Sequence, residues 1–107
     1  MLVAWILASR DRVDGANVAV KKWRADRLID APIIDASTHP SIGENIQGPS
    51  LIAVPSWIPN RLGNYYLYFA DHKGRYIRLA YADELIGPWV VHVPGSLQLE
   101  QSHFPTE

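Results

Sequence analysis

Six polar side chains of this 107-residue chain could do chemistry together: Glu44, Asn45, Gln47, Asp71, His72 and Arg75. Glu44 and Asp71 are the carboxylates, and a carboxylate pair is what general acid/base work requires. His72 and Arg75 can donate hydrogen bonds to a polar ligand, and Asn45 and Gln47 can both donate and accept. Each also has an ordinary alternative. Asp71 can cap its own turn through the backbone, Glu44 can be solvated on a loop, His72 can be an exposed turn residue, and the two amides can satisfy loop backbone groups. His39, His92 and His103 are scattered without metal-ligand spacing, and the chain has no cysteine, so no metal site is expected. Phosphate loops, the GxSxG elbow and HExxH are absent, and no cofactor is implied.

What would bring the six together is the chain that carries them. From Pro49 onward short apolar runs alternate with turns. Ser50–Val54 (SLIAV), Tyr65–Ala70 (YYLYFA), Tyr76–Ala82 (YIRLAYA) and Trp89–Val93 (WVVHV) read as strands by their β-branched and aromatic content. Asp71–Arg75 (DHKGR) is a hairpin turn in which Gly74 can take the backbone such turns need. The last strand is expected to end at Pro94 and Gly95. Four such strands in one run make an antiparallel meander. Strand direction alternates in a meander, so the approach to the first strand and the DHKGR turn share one end of the sheet. That end gathers the six residues, whereas Trp57, Asn60, Arg61, Asp83 and Glu84 fall at the other.

Both faces of this sheet read as apolar. Tyr65, Leu67 and Phe69 alternate with Tyr66, Tyr68 and Ala70, and only Arg78 interrupts the next strand. An antiparallel sheet with one wet face alternates apolar and polar residues, so burial on both faces is the expectation. Tyr65, Tyr66, Tyr68, Trp57 and Trp89 are accordingly expected in the core rather than on a ligand platform. Residues 1–48 form an irregular leader with short strands, at Asn17–Trp23 and Arg27–Ile34, and a polar loop at Asp35–Gly48. The leader can cover one face and offers little for the second. The remainder, 49–107, is then a single unit of something larger, or a sheet that closes its faces by self-association.

The segments Pro49–Ile52, Tyr65–Phe69 and Leu79–Ala82, followed by Gly87-Pro88-Trp89, resemble the first blade of five-bladed β-propeller glycoside hydrolases of the family 43 group. Ala31–Ile34 is similar to the segment that leads into that blade. The resemblance implies an all-β fold, a four-stranded antiparallel meander as one propeller blade, and a carbohydrate ligand for a longer protein of which this chain is an N-terminal piece. Inverting hydrolysis of a glycosidic bond needs carboxyl groups about 6.5–9.5 Å apart. The family's base is an aspartate just before the proline that opens the blade, where this chain has Gly48. The other family carboxylates belong to later blades, so the chain is expected to be inactive by itself, with Glu44 and Asp71 the weak substitutes. His72, Asn45, Gln47 and Arg75 are then the candidate sugar contacts. A small non-catalytic carbohydrate-binding or self-associating β module is the alternative.

Composition fits one small domain, with 48% hydrophobic and 20% charged residues. A net charge of -1 leaves no basic excess to neutralise phosphates, so nucleic acid is not an expected partner. The opening run MLVAWILA falls short of the ~20 residues that span a bilayer and lacks a basic stretch before it. No membrane partner is expected, and the cytoplasm is the default compartment.

Overall fold

A computed structural model describes residues 5–13, 19–70 and 74–105. The chain is all-β. Strands β1 (Trp5–Val13) and β2 (Ala19–Arg27) pair antiparallel from Trp5 opposite Arg27 to Val13 opposite Ala19. The leader is therefore more regular than expected. Of the strand expected at Asn17–Trp23, the part from Ala19 falls in β2 and Asn17 and Val18 lie outside the described residues, and the strand expected over Arg27–Ile34 leaves the ladder at Arg27, ahead of Pro32, which has no N–H to give. In β2 the exposed Arg24 pairs with Asp26 at 2.6 Å, which offsets part of the basic character of this stretch. Irregular chain with one 3-10 turn at Pro40–Ile42 then leads to the main sheet.

That sheet is a four-stranded antiparallel meander, β3 (Gln47–Ala53), β4 (Tyr65–Ala70), β5 (Tyr76–Ala82) and β6 (Val90–Gln98), in sequential order. Strands β4 and β5 hold the residues expected of them. Strand β6 continues through Pro94 and Gly95 instead of stopping there. It lies at the edge of the sheet, where a missing N–H and a bulge are tolerated. Gly95 takes φ 69° beside a register shift between Ile77 and Leu79. A side chain at Gly95 would lie 2.6 Å from the carbonyl oxygen of Ile77, so glycine is what lets the strand pass.

The register sorts the two faces. Leu51 lies opposite Leu67, Leu67 opposite Ala80, and Phe69 opposite Arg78, so these share one side with Tyr65 and Ala82. On that side Leu67, Phe69, Ala80 and Ala82 form the core with Ile34, Ile42 and Trp89, flanked by Ile33 and Ile46. The cover is thus the irregular stretch 33–46, laid over the sheet. Trp89 reaches this core from the turn after β5. Gly87 there has φ 99°, and its own Cα carries nothing that would crowd the indole, which a Cβ would meet at 3.0 Å.

Arg78 fixes the cover in place. It is buried under the stretch, donates from Nη1 to the carbonyl of Ile42, and lies 5.2 Å from the centre of the Tyr76 ring. The Tyr76 hydroxyl in turn reaches the carbonyl of Ser41 at 3.5 Å. The residue that interrupted an apolar strand in sequence is the clamp between sheet and leader.

The other face carries Ser50, Ile52, Tyr66, Tyr68, Ala70, Ile77, Leu79, Tyr81, Val90, His92 and Leu97, by the same register. Ile52, Ile77, Val90 and Leu97 are each 41–47% exposed. The expected burial of both faces holds for only one, because the irregular stretch 33–46 lies on the Arg78 side.

Arg78→Met keeps the apolar stem but strands the Ile42 carbonyl. A loss of about 1–3 kcal/mol is expected, read as a lower denaturant midpoint at unchanged slope.

Candidate functional site

The end of the sheet singled out in the sequence is partly assembled. Gln47 lies opposite Ala70 at the mouth of the β4–β5 turn. Across β4, the carbonyl of Arg75 accepts the Leu99 N–H at 2.7 Å. Glu44, Asn45, Gln47 and Arg75 are all exposed. Asp71 and His72 lie outside the described residues. The alternation of strand direction thus does bring Gln47 and Arg75 to one end. No carboxylate pair forms there among the described residues.

A cavity of about 240 Å³ opens beside this end, between the start of β5 and the C-terminal turn. Tyr76, Ile77, Leu97 and Phe104 make it mainly apolar, and Arg75, Gln98 and Ser102 are its polar members. Among the described residues that line it there is no Asp, Glu or His. Among the described residues no group of three or more His, Asp or Glu could hold a metal ion. No helix among them is long and apolar enough to cross a membrane.

The polar residues of the leader work on the leader itself. Asp35 Oδ1 accepts from the Ser37 amide at 2.8 Å and the Ser37 hydroxyl at 2.6 Å. The Thr38 hydroxyl stands 3.4 Å from the same oxygen and also accepts the Asp35 N–H at 3.0 Å. The side-chain and backbone bonds from Ser37 hold the Asp35 carboxyl below its usual pKa, because they favour the charged form. His39 caps the 3-10 turn, its Nδ1 accepting the Ser41 amide at 3.1 Å. Sequence reading passed over Asp35 and saw a loop where there is a closed network. The Asp-x-Ser-Thr spacing, which favours side-chain turns, was the available signal.

Trp57 reverses an expectation. It was placed in the core and is instead 77% exposed. Its loop is well tied, with Ile58 N–H donating to Pro55 at 3.1 Å, Arg61 Nη1 to the Val54 carbonyl at 3.4 Å and Leu62 N–H to the Tyr66 hydroxyl at 2.9 Å. Trp57 takes no part in the core cluster under the sheet. Trp89 differs because its turn folds back over the core.

Over 64 residues the chain is 50% identical to the uncharacterized protein R118 of Acanthamoeba polyphaga mimivirus. The match takes in 53% of this chain and 18% of that protein, so the chain spans under a fifth of its relative's length. No family model matches the chain, and no solved structure does. The resemblance to five-bladed propeller glycoside hydrolases is therefore corrected, since the family's own pattern does not extend over this sequence. The elements that suggested it have local causes. The YYLYF run is a central strand between two neighbours, and Gly87-Pro88-Trp89 is a turn that seats an indole in the core.

Asp35 generates a pH prediction. Its folded pKa lies below the unfolded value, so its contribution to stability is full above about pH 4 and is lost as pH falls through the folded pKa. The stability difference between the parent and Asp35→Asn should shrink on acidification, followed by denaturant midpoints across pH 2–6. For Trp57→Ala, exposure predicts a stability change within about 0.5 kcal/mol, checked by thermal unfolding.

Proposed function

We propose that this chain is a non-catalytic β module that acts by self-association, burying the open face of its sheet against another copy. The observation that carries the reading is the composition of that face. Across four strands it presents Ile52, Tyr66, Tyr68, Ile77, Tyr81, Val90 and Leu97 without one Asp, Glu, Lys or Arg. Leu79, between Tyr68 and His92, is already buried by its neighbours. Tyr66 and Tyr68 meet edge to face at 6.4 Å, a packing that presets part of the surface. A face without Asp, Glu, Lys or Arg, and with His92 as its one titratable group besides tyrosine, meets its own copy with little like-charge repulsion.

Magnitudes suggest a weak contact. Completing the burial of four half-exposed aliphatic side chains gains roughly 1 kcal/mol each. Two copies together gain on the order of 8 kcal/mol, against an association cost of about 4–15 kcal/mol. The face by itself therefore gives a concentration-dependent oligomer rather than a permanent one.

The second reading, a carbohydrate-binding module, draws support from Trp57, whose exposed indole on a tied loop could stack on a sugar ring. Sugar-dependent quenching of tryptophan fluorescence, absent in Trp57→Phe, would favour it over self-association.

Sedimentation velocity over a concentration series tests the leading reading. A reversible shift from monomer to a discrete oligomer is expected, abolished by Ile77→Lys, which puts a charge on the open face at an already exposed position. A monomer at every concentration with a sharp thermal transition would sink it.

A further inference from the structure

The net charge of -1 is the sum of two unlike parts. Six of the ten Lys and Arg lie between Arg10 and Arg27, with three of the eleven Asp and Glu. Residues 1–27 thus carry +3 and residues 28–107 carry -4. A split of this kind points to an anionic partner for the basic part, which the charge of the whole chain conceals.

The β1–β2 ladder sorts these charges further. Arg10 lies opposite Lys22, Ala8 opposite Arg24 and Arg12 opposite Val20. Opposite residues share a face and every second residue returns to it. Arg10, Arg12, Lys22 and Arg24 therefore occupy one face of the ribbon. Neighbouring positions there stand about 7 Å apart along a strand and about 5 Å apart across the pair. Among the described residues one acid shares this face, Asp26, which lies opposite Ile6 and pairs with Arg24 at 2.6 Å. The other face holds Trp5, Leu7 and Trp23, and there Asp11 lies opposite Lys21.

The basic face works against the ribbon that carries it. Like charges directly opposite each other destabilise an antiparallel pair, and Arg10 against Lys22 is such a pair. Strands β1 and β2 form a sheet of two, and an isolated two-stranded hairpin is marginal in water. An anion laid over the four cations turns their repulsion into attraction and steadies the ribbon at the same time.

We propose that the β1–β2 ribbon binds duplex nucleic acid, with Arg10, Arg12, Lys22 and Arg24 neutralising its phosphates. The inference does not depend on the self-association proposed above. The major groove admits a two-stranded antiparallel ribbon, and guanidinium groups suit phosphate because they can bond it in pairs. Lys22 and Arg24 are exposed and open to such a partner. The position of Trp23 decides against a single strand. Proteins that hold single strands set aromatic rings beside the cations so that bases can stack. Trp23 is 66% exposed but belongs to the opposite face. A membrane surface is disfavoured by the edges of the ribbon. Sinking its tryptophan face among lipids would carry unpaired edge N–H and C=O groups along, whereas a nucleic-acid groove is wet.

Anisotropy of a short fluorescent duplex, titrated with the full chain, tests this. Four phosphate contacts predict a slope of log K against log salt of about -3.6, or roughly hundredfold weaker binding at 200 mM than at 50 mM salt. Lys22→Gln should lower the magnitude of that slope by about 1. It also relieves the repulsion opposite Arg10, so weaker binding by this variant is not a loss of the ribbon. Asp26→Asn removes the acid beside Arg24 and should tighten binding. Lys21→Gln, on the other face, should leave the slope unchanged. No binding at 50 mM salt overturns the proposal. Equal losses in Lys21→Gln and Lys22→Gln overturn it too, since the chain then responds to charge alone and not to this face. Tighter binding of a single strand than of the duplex overturns the groove. Binding to vesicles of phosphatidylcholine and phosphatidylserine without binding to the duplex assigns the ribbon to membranes and overturns the proposal as well.

Discussion

The guanidinium of Arg78 decides which side of this sheet is inside. A buried arginine is costly unless its donors are used, and the carbonyl of Ile42 and the ring of Tyr76 are the partners that the fold supplies. Supplying them requires the irregular stretch before β3 to lie across the sheet with Ile42 facing down. Once it does, Ile34 and Ile42 fall over Leu67 and Phe69 and the core closes. The polar clamp and the apolar core thus hold the same stretch in the same place.

The consequence is a sheet with unequal faces. Antiparallel sheets commonly leave one face wet and polar. Here the side without a cover is mainly apolar, with Ser50 and His92 but no Asp, Glu, Lys or Arg, while the side that carries Arg78 is buried. That inversion is why the open face is unusual. An exposed leucine or isoleucine alone means little, but a contiguous, mainly apolar patch across four strands is the kind of surface that marks an interaction site. The same asymmetry argues against reading the tyrosines as a ligand platform. The Tyr66 hydroxyl accepts the Leu62 N–H, and Tyr68 packs on Leu79, so both already have structural work.

Much of the meander was legible in the sequence, because its strands are short, rich in aromatic and β-branched residues, and separated by clear turns. Tyr65–Ala70 and Tyr76–Ala82 stand where pattern placed them. The limits of β6 did not, since Pro94 and Gly95 end a central strand but only bend an edge strand, and edge position is a tertiary fact. The β1–β2 hairpin escaped for a similar reason: its alternation is weak. Trp57 lies two residues from Pro55 and from Pro59, Trp89 follows Pro88, and the two are opposite in fate. What separates them is whether the turn folds back over the core, which no local pattern states. The gathering of Gln47 and Arg75 at one end was readable from strand direction alone. The family resemblance failed because its elements are local devices that unrelated sheets can share.

The two edges of the sheet are built alike, and this bears on how assembly can proceed. Pro94, Gly95 at φ 69° and a register shift interrupt β6, and Pro49, Gly48 at φ 63° and a register shift between Gln47 and Ser50 interrupt β3. An exposed edge on an apolar sheet is a hazard when it lets pairing propagate, and a bend with a missing N–H at each edge works against that growth. The self-association proposed for this chain is therefore carried by the open face and not by the edges, and the bends at Gly48 and Gly95 matter as much for limiting assembly as for the strands that contain them.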